Sequence, residues 1–368
     1  MFRAQYCCVL LYIFTVKPVN SSSSIRIGTF NLWNVMFNWK ERLQYIASVI
    51  KEQEIDIVAF QEVRFSTDEA TGLTTSQLEE VKKYLPNHKW MVVQPAGPVR
   101  KPENAYWKGW TEEGLGVLSK FPMEHYTKIN LTTLGGKDAN PRLALLVQIK
   151  VKQTPHQVIN VVAVHFSYEK HQQCQNAQHV LKFLSSTDLD NIIVLGDFNT
   201  YPDFPGPVEA FISSVATSCP IRQLHVPLFR DAILESLKPN QKVPLTFSNM
   251  PSPGLISRPD RILVSPSIQV VDSHLQGQGD LYVNSFYTAI VIKRIETVFG
   301  SAFDSFTGKV GYSCLHDCGP HGSCRCGLCV KGGNKLNCNI PDCAECGSEE
   351  LFPSDHMMVV AEITLVQS

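Results

Sequence analysis

Short apolar runs alternate with longer amphipathic stretches from about residue 25 onward. The run 192–195 is wholly apolar and mostly β-branched, which is typical of a strand buried on both faces. In the stretch WKERLQYIASVIKEQ, apolar side chains recur every three or four residues, which predicts a helix with one buried face. Strands are predicted at 25–31, 55–62, 114–119, 142–151, 158–165, 192–195, 260–264 and 356–365, and further helices near 76–85, 172–185 and 207–215. This interleaving predicts an α/β domain with mixed sheets.

Most of these predicted strands carry an unusual polar residue at one end. A strand–helix–strand connection keeps strands 25–31 and 55–62 parallel, so their C-terminal ends share one edge. A hairpin predicted across 153–156 brings Arg142 and His165 to the same end of their two strands. The polar residues at strand ends are Asn31, Glu62, His165 and Asp197, and those at strand starts are Glu113, Arg142, Asp260, Asp355 and His356. Because strand ends and antiparallel strand starts share an edge, we expect all of them on one polar rim.

The residue types on this rim indicate hydrolysis of a phosphate ester. Carboxylates and amides offer oxygen ligands to a hard cation such as Mg²⁺ or Ca²⁺. Two histidines with carboxylate partners can act as acid and base near neutral pH. The forked guanidinium of Arg142 suits phosphate oxygens. For the stretch GDFN taken alone, ordinary turn residues are an equal explanation, and the convergence of the other strands on the same rim favours a functional site.

The first twenty residues have the layout of a secretory signal peptide. Arg3 precedes an apolar run, and a serine cluster follows at 21–24. A buried N-terminal strand is the alternative. No other segment reaches about 18 uninterrupted apolar residues, so we expect a secreted chain with no stable membrane span. The glycosylation sequons at Asn20 and Asn130 suit a secreted glycoprotein.

Eight of the twelve cysteines lie between residues 314 and 346. This segment has too few apolar residues to form a core and therefore needs cross-links. Four disulfides are expected in a secreted chain, while C-x-x-C spacings at 326–329 and 343–346 leave zinc as the alternative. The portion CGPHGSCRCG resembles an EGF-type module. Cys174 and Cys219 fit either a disulfide or two buried free thiols.

The formal net charge of the chain excludes few classes of substrate. Lys and Arg number 33 against 34 Asp and Glu, so no overall basicity indicates a nucleic-acid partner. Local basic patches remain compatible with such a substrate.

Seven motifs occur in a fixed order: TFNLW, FQEV, EEGLGVLSKFP, NVVAVHFS, VLGDFNTYPD, RPDRILV and PSDHMMVV. In this order they resemble the endonuclease/exonuclease/phosphatase superfamily, which includes deoxyribonucleases, apurinic endonucleases, bacterial sphingomyelinases and inositol polyphosphate 5-phosphatases. The resemblance implies a four-layered α/β/β/α sandwich of two mixed sheets. It places the catalytic domain at 25–282 plus 350–366, with a small disulfide-rich insertion at 283–349 that carries the EGF-like module 314–346.

The resemblance also implies which residues bind metal and phosphate. Glu62 would be the principal metal ligand, helped by Asn31 and Asp355. The cofactor would be Mg²⁺, with Ca²⁺ or Mn²⁺ as alternatives. Asn199 and Arg142 would bind the substrate phosphate together with Asn31.

The remaining rim residues would carry the chemistry. The resemblance implies that Asp197 orients or deprotonates the attacking water. His165 and His356 would form the catalytic histidine pair, oriented by Glu113 and Asp260 respectively.

Particular motifs narrow the choice within the superfamily. His165 argues against the apurinic endonuclease type, and GDFNTY and SRPDR depart from the 5-phosphatase motifs GDLNYR and PAWCDR. A DNase-like nuclease acting on nucleic acid is therefore favoured, with a sphingomyelinase-like phospholipase C as the alternative. The aromatic residues of NAYWKGW would stack on bases, lie at a membrane interface or pack in the core. A third hypothesis is an extracellular binding protein that recognises a protein partner through its cysteine-rich module.

Overall fold

The computed structural model describes most of the chain between residues 24 and 366. The described ranges are 24–35, 39–68, 70–99, 109–131, 135–151, 157–201, 203–213, 218–219, 228–248, 255–277, 322–325, 328–331, 354 and 356–366. The predicted signal peptide, Asp355 and nearly all of the 283–349 insertion lie outside them. Those predictions therefore stay predictions.

The first sheet has seven strands, which are β1 Ile25–Asn31, β2 Ile57–Thr67, β3 Thr74–Ser76, β4 Trp90–Pro98, β5 Glu112–Ser119, β14 Ile268–Gln276 and β17 Met358–Leu365. Six of them run in the order β14-β17-β1-β2-β5-β4, and β3 pairs with β2. Strands β1 and β2 are parallel, and the other pairs are antiparallel. Strand β17 therefore belongs to the same domain as β1, with which it pairs.

The second sheet has six strands, which are β6 Met123–Leu131, β7 Arg142–Lys150, β8 Val158–His165, β9 Ile192–Asp197, β10 Arg230–Asp231 and β13 Asp260–Val264. They run in the order β10-β13-β9-β8-β7-β6. The one parallel pair is β8 with β9, joined through a helix, as expected for a parallel connection. Two short hairpins complete the described strands: β11 Phe247–Ser248 with β12 Leu255–Ser257, and β15 Gly322–Arg325 with β16 Leu328–Lys331.

The helices are α1 Trp39–Glu52, α2 Gln77–Lys83, α3 Lys170–Ser185, α4 Gly206–Ile212 and α5 Ala232–Ser236. Helices α1 to α4 form the outer layers of a four-layered sandwich, whereas α5 buries Ala232 and Ile233 in the core between the two sheets. Helices α1 and α2 cover the first sheet, where Ile46 and Ile50 pack against Phe60. Helices α3 and α4 cover the second sheet. The two sheets bury their facing sides against each other, so the predicted α/β/β/α sandwich of two mixed sheets is confirmed.

Several sequence predictions need correction in detail. Strands β4, β6 and β14, which the sequence analysis does not predict, each lie at a sheet edge, and the apolar residues of β6 and β14 are interrupted by polar ones. The strand predicted to end at Glu62 continues to Thr67. Met358 begins the last strand, while His356 makes only an isolated bridge to Phe247.

Cys174 and Cys219 form a disulfide, which decides between the two alternatives left by the sequence. It joins α3 to residues 218–219. Among the described residues, no helix is long and apolar enough to cross a membrane.

Candidate active site

Three neighbouring strands of the second sheet place three rim residues side by side. Strand β8 ends at His165, which lies opposite Asp197 at the end of β9, and Asp197 lies opposite Asp260 at the start of β13. All three side chains are buried. Gly196 allows this close pairing, because a Cβ there would lie 2.0 Å from the carbonyl oxygen of Val164. The glycine of the GDFN stretch therefore has a packing role, and the aspartate after it faces the rim.

Asn31 connects this group to the first sheet. Its side-chain Nδ2 donates to Asp197 Oδ2 at 3.1 Å and to Glu62 Oε1 at 3.3 Å. The Asn31 Oδ1 accepts the backbone N–H of Trp33 at 3.0 Å, which orients the amide. Asn31 is fully buried between the two sheets. The carboxylates of Glu62 in the first sheet and Asp197 in the second thus accept hydrogen bonds from the same amide.

Glu62 reaches the rim because β2 has a bulge. The pairing of β2 with β5 shifts between Phe60 and Val63, and Glu62 adopts a left-handed backbone conformation with φ 56°. Asn34 donates through Nδ2 to Glu62 Oε2 at 2.9 Å. Four of the seven positive-φ non-glycine residues in the described ranges lie at this rim: Trp33, Asn34, Glu62 and Asn199. Concentrated backbone strain of this kind is typical of functional sites.

His356 is paired with Asp260. His356 Nδ1 lies 2.9 Å from Asp260 Oδ2, and the same oxygen accepts the Thr246 hydroxyl at 2.6 Å. The ring of Phe247 packs against the imidazole with centroids 4.8 Å apart. A carboxylate at Nδ1 fixes the tautomer and leaves Nε2 as the outward nitrogen. His356 Nε2 lies 3.8 Å from Asp197 Oδ2.

The expected pairing of Glu113 with His165 is corrected by the structure. Glu113 lies directly opposite Arg64 in the β2–β5 register, and its Oε2 is 2.9 Å from Arg64 Nη2. His165 belongs to the other sheet, and its Nε2 lies 3.5 Å from Asp197 Oδ2. Sheet register therefore decides which partner the glutamate has.

Arg142 also differs from its expected role as a phosphate ligand. Its Nε and Nη2 donate to Asp138 Oδ2 at 3.2 and 3.0 Å, and its Nη1 lies 2.9–3.0 Å from both ring nitrogens of His165. The side chain is buried between these partners. In this arrangement Arg142 holds His165 in place. Asp138 is fully buried and was missed from the sequence, since a single loop aspartate has no distinguishing pattern.

Asn199 lies at the rim and stabilises the turn after β9. Its backbone N–H donates to Asp197 Oδ1 at 2.7 Å, and its Nδ2 donates to the Phe166 carbonyl at 2.8 Å. The Gln173 side chain holds the Asn199 carbonyl at 2.7 Å. Asn199 therefore fixes the orientation of Asp197, in addition to the phosphate contact expected of it.

Burial and neighbouring charges shift the titration of the central groups. Burial, and then the nearby Asp260 charge, raise the pKa of Asp197 to about 6. Burial, and then the Arg142 charge, hold the pKa of His165 well below its usual value, so the ring is neutral at physiological pH. Burial and the Glu62 charge raise the pKa of Glu113 to about 7. The rim thus combines a neutral histidine with a carboxylate that titrates near neutrality.

The described residues fit a hard divalent cation at Glu62. Among them, Glu62 contacts the amides of Asn31 and Asn34 and forms no salt bridge. Asp197 is a second carboxylate close to Glu62, because the Asn31 amide donates to both side chains. A different group, made of Asp197, Asp260 and His356, has ligand atoms within 4.8 Å of one another. There, however, Asp260 and His356 are already hydrogen-bonded to each other. Asp355, the other expected ligand, lies outside the described residues.

A cavity of about 550 Å³ lies at the opposite edge of the first sheet. It is lined in part by Arg26, Glu54, Asp56 and Lys120, whose charges pair as Arg26–Glu54 and Lys120–Asp56. The charged side chains of this cavity are paired with each other, so the cavity lacks the convergent polar groups of the rim. The rim therefore remains the candidate site.

Comparisons with known proteins agree with this architecture. The model of the Endonuclease/Exonuclease/phosphatase family matches residues 29–356. A family protein from Bacteroides thetaiotaomicron is 17% identical, with 94% of this chain and 99% of that chain covered and a TM-score of 0.56. The mannosyl-6-phosphatase from the same organism is 17% identical, with 93% and 100% covered and a TM-score of 0.54. The catalytic domain of human Nocturnin with a bound sulfate anion is 14% identical, with 93% and 95% covered and a TM-score of 0.53. No curated protein matches the sequence.

Proposed function

The chain belongs to the endonuclease/exonuclease/phosphatase family, and on this premise we propose that it is a divalent-metal-dependent phosphodiesterase. One observation carries the proposal. Asp197 Oδ2 lies 3.1 Å from the Asn31 amide, 3.5 Å from His165 Nε2 and 3.8 Å from His356 Nε2. A single buried carboxylate oxygen thus faces polar nitrogen atoms of the Asn31 amide and of both histidines.

In the proposed reaction, a water oxygen attacks the phosphorus and the ester P–O bond breaks. Asp197 takes the proton of the water, for which a pKa of about 6 is well matched near neutral pH. Asp260 stabilises the imidazolium form of His356 with Nε2 outward, and this nitrogen donates its proton to the leaving oxygen. The proton that Asp197 takes from water then returns His356 to the imidazolium form. Neutral His165 donates a hydrogen bond to a phosphate oxygen.

Glu62 and Asn31, with Asp355, would hold the divalent cation. When bound, the cation would stabilise negative charge on a phosphate oxygen by Lewis-acid chemistry. Oxygen ligands alone favour Mg²⁺, with Mn²⁺ or Ca²⁺ as alternatives, over a thiophilic metal.

We propose nucleic acid as the substrate, ahead of a sphingolipid. The hairpin of β2 and β3 extends beyond Glu62 and so flanks the rim. Its described tip is polar: Asp68 Oδ1 accepts the backbone N–H groups of Ala70 and Thr71, and Leu73 is the one large apolar side chain exposed there. An enzyme that reaches into a bilayer needs an exposed apolar projection. The polar tip supports a water-soluble substrate.

A substrate panel tests this proposal. Purified mature protein with Mg²⁺ should cleave plasmid DNA, and the rate should fall as salt rises, because cation–phosphate contacts are screened. The panel includes RNA, sphingomyelin vesicles and a chromogenic phosphodiester, with Glu62→Gln as the inactive control. Release of phosphocholine without DNA cleavage would make the lipase alternative correct. Full activity in excess chelator would contradict metal dependence.

We further propose that the chain is secreted and glycosylated at Asn130. Asn130 lies on β6, at the open edge of the second sheet, with its side chain exposed, whereas the next residue, Leu131, is buried. The Cys174–Cys219 disulfide also supports an oxidising compartment. The role of the cysteine-rich module 314–346 in binding a protein partner stays a prediction.

Secreted protein from a eukaryotic host should lose mass on glycosidase treatment. Asn130→Gln should abolish that loss, because it removes the acceptor amide of an exposed sequon. The matched control is Asn87→Gln, which lies outside any sequon. Retention of the chain inside the cell, or an unchanged glycan in Asn130→Gln, would contradict the proposal.

A further inference from the structure

Arg42, on helix α1, is buried directly beneath the loop that follows β1. It is 1% exposed. Its Nη1 donates to the Leu32 carbonyl at 2.7 Å, and its Nη2 donates to the carbonyls of Trp33 and Asn34 at 3.3 and 2.9 Å. The guanidinium also lies 5.5 Å from the ring centroids of Trp33 and Trp39. One side chain therefore holds three consecutive carbonyls of the loop.

The loop needs such a restraint because its backbone is strained. Trp33 has φ 53° and Asn34 has φ 40°. Left-handed backbone is costly for a residue as bulky as tryptophan. Gln77, fully buried on α2, adds a second restraint: its Nε2 donates to the Asn34 carbonyl at 2.6 Å, and its Oε1 accepts the Arg64 backbone N–H at 3.0 Å. Gln77 thus connects the loop to β2 just beyond the bulge.

The strained loop brings the Asn34 amide to the rim. Its Nδ2 lies 2.9 Å from Glu62 Oε2, while Asn31 contacts the other oxygen, Oε1. Both oxygens of the carboxylate are therefore held by amides. Because a ligand that is already oriented loses less entropy on binding a cation, such outer partners strengthen metal sites.

We propose that Asn34 and Arg42 are positioning residues for Glu62: Asn34 orients the carboxylate for the divalent cation, and Arg42 acts through Asn34 by holding its loop. This inference rests on the proposed metal site at Glu62. Neither residue contacts the phosphate in this role, and the pattern of the sequence did not single out either of them.

The test measures Mn²⁺ binding to the free protein by electron paramagnetic resonance, without substrate. Asn34→Gly removes the amide while glycine accepts the positive φ. Arg42→Lys keeps a buried cation but loses the planar fork. Each should weaken Mn²⁺ binding by about 10-fold. The double variant should be no weaker than Asn34→Gly alone, since Arg42 acts through Asn34.

Two matched controls should leave Mn²⁺ affinity unchanged. Asn240→Gly also places glycine at a positive φ, 67°, away from the rim, and Arg26→Lys alters an arginine at the opposite edge. If Arg42 has only a structural role, Arg42→Lys will lower the melting temperature and leave Mn²⁺ affinity intact. That result, wild-type affinity in Asn34→Gly, or additive losses in the double variant would overturn the inference. Wild-type affinity in Glu62→Gln would instead show that the proposed metal site is wrong.

Discussion

Replacing Asp197 with asparagine should lower the turnover number by about 10²–10⁴-fold, the usual contribution of a positioned acid or base. Asparagine preserves the shape of the side chain but cannot take a proton from water. Burial already raises the pKa of Asp197 to about 6, which suits a base near neutral pH. Steady-state rates on the cleaved substrate at saturating Mg²⁺ measure the effect.

The same variant should be more stable than the wild type when metal is absent. Folded Asp197 keeps its proton up to about pH 6, whereas an ordinary aspartate loses it near 3.8. The folded state therefore binds more protons between these values and loses stability as pH rises through them. In chelator, Asp197→Asn should melt above the wild type at pH 7, by a margin that narrows toward pH 4.

Asp188→Asn is the matched control, because Asp188 is exposed on the loop after α3. It should change neither turnover nor the pH dependence of melting. Wild-type turnover in Asp197→Asn would remove Asp197 from the chemistry. Lower stability at pH 7 would contradict the raised pKa.

His356→Ala and Asp260→Asn should each reduce turnover, with His356→Ala losing about 10²–10⁴-fold. Asp260 acts by holding His356 Nδ1 at 2.9 Å, so the two side chains work as one unit. The double variant should then be close to His356→Ala alone, because effects within one unit are not additive. Turnover numbers of the wild type and all three variants on one substrate give the coupling free energy between His356 and Asp260.

His125→Ala is the control for losing a histidine, since His125 is exposed on β6. Circular dichroism of each variant separates lost chemistry from lost structure. Losses that multiply in the double variant would show that Asp260 contributes independently of His356. A wild-type rate in His356→Ala would exclude the histidine from the mechanism.

The sequence alone determined the strands whose apolar runs are continuous. Strand β8 begins at Val158 and ends at His165 as predicted, and β13 spans Asp260–Val264 as predicted. The order of the seven motifs was sufficient for the family and for the sandwich. It also placed His165, Asp197 and Asp260 at strand ends that do share one edge. The pattern of apolar and polar residues within one segment carries this information, because a buried strand requires apolar side chains at the positions that face the core.

Only the tertiary structure decided which rim residues touch one another. Glu113 faces Arg64 because β5 pairs with β2, and Arg142 reaches His165 because β7 pairs with β8. Glu62 adopts its left-handed conformation because the register of β2 against β5 shifts at the bulge. Arg42 and Asn34 gain their roles from the packing of α1 beneath a strained loop. Such contacts depend on register and packing between segments far apart in the chain, and residue periodicity within one segment contains no information about them.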